Sequence, residues 1–216
     1  MGEAALSSGG SRAASPKVVK FDPTALRAFF RFIRERHVIY ERRRAGEPWP
    51  WTKDPILKKY RFCNDFRELD RTTIWIRENW REPYREHKNL WFAMAVARQF
   101  NLPSTLEAIG FPETWSPSAV LKKLDAKKAA HQKIYSGAYI ISGGFGGPKH
   151  HQTVMRVLTP LYRRPPDWSK LLTIEAATEW LAGFDGFGRF LAYEVMTDLR
   201  HTRYLKNAPA IMTWAN

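Results

Sequence analysis

Residues 180–195 read WLAGFDGFGRFLAYEV. Two glycines bracket a phenylalanine, and apolar residues then recur at helical spacing through Phe190, Leu191, Ala192, Val195 and Met196. The pattern predicts two helices joined by a tight Gly-Phe-Gly corner. Thr173 caps the first helix, and Gly183 is placed to end it. Gly186 and Gly188 are expected where a Cβ would forbid the backbone, and Phe187 is expected to plug the seam. The second helix starts at Gly188, and its first N–H groups have no partner inside the helix. Together with the helix dipole they suit an anion such as a DNA phosphate.

Helical patterning continues outward from this corner. Asp22-Pro23 opens an amphipathic helix with apolar positions Leu26, Phe29, Phe30 and Ile33, which ends near Gly46, Pro48 and Pro50. Its polar face carries Arg27, Arg31, Arg34, Arg36, Arg42, Arg43 and Arg44 against only Glu35 and Glu41. That imbalance fits either a solvated face or a phosphate-contacting one. Between Pro55 and Pro83 one long helix is expected, with Asn64, Arg67, Glu68, Arg71, Trp75 and Glu78 along one side. Those residues form either a polar site or a ladder of salt bridges such as Glu68 to Arg71. Residues 89–100, NLWFAMAVARQF, are apolar almost all round and predict a central buried helix. Ser116-Pro117 opens a Lys-rich helix. Residues 135–152 carry the one strand-like stretch and a glycine loop, and 153–168 read as helical up to Pro160. Residues 1–20 read as a disordered tail, and 21–216 as a single mainly α domain.

The 216 residues carry 35 Lys and Arg against 21 Asp and Glu, a net charge of +14, which points to a polyanionic partner, nucleic acid first. A single cysteine, Cys63, excludes a disulfide framework and a cysteine zinc site within the chain. No apolar run is long enough to span a bilayer, so an intracellular protein without membrane association is expected: cytoplasmic in a prokaryote or phage, nuclear in a eukaryote. The loop SGGFGGPKH at 142–150 fails as a phosphate cradle of the Walker type, because Pro148 follows Gly147 and His150 follows Lys149. No cofactor is expected. His150 and His151 are adjacent, with no third ligand near them in sequence, so no metal is expected either.

The corner at 184–192 resembles the helix-hairpin-helix motif, with Ala192 where that motif uses a small residue. The resemblance extends to helix-hairpin-helix DNA glycosylases. Bifunctional members place a lysine two residues after the second glycine. Here that residue is Phe190, so the lyase nucleophile is missing. An aspartate follows the hairpin helix in those enzymes, and only Asp198 lies near. The runs RFCNDFRELDRTTIWIRENWREPY, GGPKHHQTV and FDGFGRFLAYEVMTDLRHTRYL, with APAIMTWAN at the end, resemble the helical domain of 5-hydroxymethyluracil DNA kinases, related to alpha-glutamyl/putrescinyl thymine pyrophosphorylases. That resemblance implies a glycosylase-like helical fold, with the hairpin near 174–199, and a place in thymidine hypermodification. It also implies a family pattern running on past Asn216. The chain has no P-loop and is not a kinase on its own, so a P-loop DNA kinase is the implied partner.

For a domain that handles a base flipped from double-stranded DNA, three sets of residues are required. Arg42, Arg43, Arg44, Lys149, Gly186, Phe187, Gly188 and Arg189 are the candidates for holding the backbone. Trp75, Tyr193 and Trp214 could stack on the base. Asn64, Arg67, Glu68, Asp70, Arg71, Glu194, Asp198 and Asn216 could read its edge or move protons. Glu194 and Asp198, four apart, form either an acid–base pair or a surface pair flanked by Arg200 and Arg203. The function expected is recognition or processing of a modified pyrimidine. A base-excision glycosylase and a noncatalytic DNA-binding module serving a kinase are the alternatives.

Overall fold

A computed structural model describes residues 21–60, 62, 64–138 and 146–209. The described residues are mainly helical, with no strand among them. The strand-like stretch falls largely on 139–145 and, like the tail at 1–20, lies outside the described residues. The chain divides into two compact units, one ending at Asp65 and the other beginning at Phe66, where the sequence suggested one continuous domain.

The first unit is built on α1 (Pro23–Arg44) and the short α2 (Pro55–Lys59). Both start by the same device. Asp22 and Asp54 accept hydrogen bonds from the next free backbone N–H groups, with proline at the first helical position. α1 has no buried residue, so its phenylalanines stand exposed together with all of its arginines except the half-buried Arg36. Arg42 donates to the Trp51 carbonyl at 2.7 Å, and the Trp51 indole donates to the Glu47 carbonyl at 2.7 Å. These two bonds fold the chain after α1 back onto it.

The second unit surrounds α4 (Leu90–Phe100), every residue of which is buried. Against it lie α3 (Arg71–Ile76) with the π turn Arg77–Arg81 that continues it, α5 (Pro103–Ile109), and the hairpin helix α10 (Arg189–Leu199). α6 (Pro117–Ala129) packs on α5. Ser116 sits at its N-cap position without capping through its hydroxyl. α7 (Lys149–Gln152), a π turn (Thr153–Leu158) and α8 (Thr159–Tyr162) form one continuous helical run. The helix therefore does not stop at Pro160. The wider turn absorbs the residue that lacks an N–H, and the Thr159 hydroxyl donates to the Val154 carbonyl at 2.7 Å.

The single long helix expected between Pro55 and Pro83 does not form. The chain is extended at Phe66, makes one 3-10 turn at Arg67–Leu69, and is extended again at Asp70. There the Asp70 carboxylate accepts from the Thr73 N–H at 2.9 Å and starts α3 afresh. An aspartate followed by a suitable helix start outcompetes continuation of the helix. The proposed polar side at 64–78 is therefore not one helical face, and the Glu68–Arg71 bridge is replaced by pairing of Glu68 with Arg77 and Arg81.

α9 (Ile174–Ala182) packs on α10. Thr173 caps α9 as expected, accepting from the Ala176 N–H at 3.0 Å. In the connecting corner Phe187 and Ala192 are buried. Gly186 has φ +79°, and a Cβ there would meet Val157 Cγ2 at 2.5 Å. Its carbonyl accepts from the Gln99 amide of α4 at 2.9 Å. Gly188 corrects the sequence reading. Its φ of −73° with ψ 166° suits any residue, and open space surrounds its missing Cβ.

Candidate functional site

Asp198 lies on α10 with its side chain 0% exposed. Arg98, the one charged residue of α4, grips it side-on, Nε to Oδ2 at 2.6 Å and a terminal nitrogen to Oδ1 at 2.8 Å. Arg98 also donates to the Thr73 hydroxyl at 2.9 Å and to Asn101 Oδ1 at 3.2 Å. Arg67 reaches the same carboxylate at 3.1 Å, donates to the Glu194 carbonyl at 2.7 Å, and ion-pairs with the Glu194 carboxylate. Arg81 is nearly buried and holds both oxygens of Glu68, at 2.6 and 3.1 Å, 3.9 Å from Asp198. Arg77 and His201 flank Glu68 at 3.5 and 3.6 Å.

Four arginines and three carboxylates, with the Thr73 hydroxyl, thus join the 3-10 turn, α3, its π turn, α4 and α10. Burial alone would raise the Asp198 carboxyl, but the guanidiniums of Arg98 and Arg67 overcome it and hold it at about 2. Burial likewise opposes ionisation of Glu68, and its hydrogen-bonded Arg81 overrides that and lowers it. A carboxylate so acidic and so fully engaged is a poor proton acceptor near neutral pH. Its evident work is to neutralise and position buried guanidiniums.

This arrangement has a pH signature. The Asp198 pKa lies below its ordinary 3.8, so its contribution is complete above about pH 4 and is lost as pH falls through 2. The loss amounts to about 2 kcal/mol on the linkage relation. A carbon-detected NMR titration of the Asp198 carboxyl is expected to find it ionised down to about pH 2. A midpoint near 3.8 would mean that the arginines do not hold it.

The fold brings together Arg67, Glu68, Glu194 and Asp198 from the sequence candidates. Glu194 and Asp198 are not a surface pair flanked by Arg200 and Arg203, because both bind Arg67 in the interior. Asp70 serves as the α3 cap, and Arg71 is exposed at the first position of that helix. Trp75 is half-buried, edge-on to Trp80. Tyr193 is half-buried on α10. Trp214 and Asn216 lie outside the described residues. Arg81, Arg98, Thr73 and Asn101 were missed. The clue to Arg98 was a lone charge in a helix that is apolar but for its neighbour Gln99, which a buried position tolerates only when paired.

In the first unit, a groove of about 320 Å³ is lined by Arg36, Tyr40, Arg43, Trp49, Lys59 and Tyr60 among others, with Asn64 on its wall. Trp49 is 61% exposed and Tyr60 55%. The Arg43 guanidinium lies 5.8 Å from the Trp51 ring and the Lys59 ammonium 5.3 Å from the Tyr60 ring. Flat rings interleaved with cations suit a planar, anionic ligand. Arg42 sits at the turn, donating to the Trp51 carbonyl and lying 3.7 Å from the Glu47 carboxylate.

The described residues thus form a mainly helical protein with a buried ion-pair cluster and a candidate polyanion-binding groove. The chain belongs to the family described as "5-hmdU DNA kinase, helical domain", whose profile matches residues 23–213. Over 122 residues it is 30% identical to the 5-hmdU DNA kinase of Bacillus phage SP10. That match takes in 53% of this chain and 19% of the phage protein, so the chain corresponds to about a fifth of that relative's length. No solved structure matches. Among the described residues no helix is long and apolar enough to cross a membrane.

Proposed function

We propose that this domain binds DNA in thymidine hypermodification, recognises or processes a pyrimidine of the 5-hydroxymethyluracil type, and serves a DNA kinase partner. The family membership supports the pathway. The observation that carries DNA binding is the groove of the first unit, where Arg43 and Lys59 sit beside exposed Trp49 and Tyr60. Cations there would hold phosphates while the rings stack on bases. The α9–α10 corner supports a second contact of helix-hairpin-helix type. Gly188 leaves the α10 N-terminus uncrowded, and Arg189 is exposed beside it, paired with Glu179 at 3.1 Å. Lys149 stands 4.5 Å over the Tyr135 ring and is a further backbone candidate. Arginine engagement of Glu68, Glu194 and Asp198 favours a binding role over base release by those carboxylates.

Fluorescence anisotropy with single-stranded and duplex DNA tests the groove. Arg43→Ala with Lys59→Ala is expected to lower affinity at least about tenfold and to flatten the salt dependence by about two charges. Tyr60→Ala or Trp49→Ala is expected to cost about 1–3 kcal/mol on single strands. All four side chains are exposed enough to be changed without unfolding the unit. Unchanged affinity in the cation pair would remove the groove from the account.

A further inference from the structure

From the side chains that meet between α6 and α7 we infer that Asp125, His150 and His151 form a binding site for a divalent transition-metal ion of the zinc class. Asp125 is 25 residues from the nearer histidine in sequence, which hides the set from a search by spacing. In the fold, Asp125 Oδ1 lies 2.7 Å from His150 Nε2 and 2.8 Å from His151 Nε2. One ligand atom from each residue falls within 4.8 Å of the others.

Consecutive residues on a helix point about 100° apart, so convergence of both imidazoles on one oxygen is a demanding arrangement. The carboxylate does not need it. Asp125 is 50% exposed and already solvated, and a surface ion pair contributes little stability. Two imidazole nitrogens and one carboxylate oxygen are, in contrast, the donor set of open transition-metal sites. Separations of about 3.3 Å correspond to the edge of a tetrahedron with bonds of about 2.0 Å, so each of the two Asp125–histidine edges needs to open by only about half an ångström. A metal ion would replace the two hydrogen-bond protons and leave one or more positions for water.

The surroundings bear on which ion is held. Lys128, Lys133 and Lys149 line the adjoining groove along with Asp125 and His150. Lysines repel a loosely held Mg²⁺ or Ca²⁺, which rely on several oxygen donors. Strong bonds from imidazole overcome that repulsion. His150 is nearly buried and fixed, whereas His151 and Asp125 are accessible from solvent, so the ion has an entry path. This inference is independent of DNA binding.

Isothermal titration of the chelator-treated full chain with zinc chloride tests it. One equivalent is expected to bind, with affinity falling at least tenfold in Asp125→Ala and in His151→Ala and unchanged in His131→Ala. Equal binding by the wild type and the Asp125→Ala/His151→Ala double variant would overturn the site. X-ray absorption of the zinc-loaded wild type gives a second reading that does not depend on any variant folding. Two imidazoles in the first shell are expected. A shell of oxygen alone, or one containing sulfur from Cys63, would overturn the assignment.

Discussion

Asp198→Ala is expected to unfold the helical unit or to leave it less stable by about 3–5 kcal/mol, a large share of the usual stability of a domain. The cost comes less from lost attraction than from what remains. Arg98 is 1% exposed and sits in the middle of an entirely buried helix. Without Asp198 its charge keeps the neutral Thr73 and Asn101 oxygens but loses the carboxylate that binds it side-on. Arg67 and Arg81 would then face it with one carboxylate fewer. A double variant separates charge burial from packing. Arg98→Met with Asp198→Leu removes both charges and keeps the volume, so it is expected to recover much of the loss. Urea unfolding of the three proteins checks the order. An Asp198→Ala protein within 1 kcal/mol of wild type would show that the cluster does not hold these helices together.

Gly186→Ala is the second large effect, at about 2–3 kcal/mol. Two causes add. The backbone φ of +79° disfavours any Cβ, and the new methyl would collide with Val157 at 2.5 Å. Val157→Ala in the same chain relieves the collision and leaves the backbone cost, so only partial rescue is expected. Gly188→Ala provides the contrast. Its conformation is ordinary and its surroundings are open, so its effect on thermal unfolding is expected to be within about 0.5 kcal/mol. Thermal unfolding of the three variants distinguishes a corner fixed by Gly186 from one that merely contains glycines.

Local chemistry made much of the fold legible. Asp22-Pro23 starts α1, Thr173 starts α9, and the apolar run at 89–100 is the buried helix. Each rests on neighbours within one or two turns. Asp70 was legible by the same logic, as a capping residue three before Thr73, but the proline-to-proline distance suggested a longer helix. Pro160 misled in the opposite direction, because a π turn absorbs it without ending the run. The candidate sites were harder. Arg98 and Asp198 are a hundred residues apart, as are Asp125 and the histidines on a smaller scale, and nothing local couples them. Glu194 and Asp198 were correctly placed on one side of α10, but periodicity cannot distinguish a wet side from one clamped by Arg67.

Binding of the full chain to two duplexes of one sequence is the direct measurement of DNA recognition. One duplex carries thymine at the centre and the other 5-hydroxymethyluracil, each titrated across a salt series. A steep fall in affinity with salt on both duplexes and tighter binding to the hydroxymethyl duplex are expected. No binding to either duplex at low salt would contradict DNA recognition.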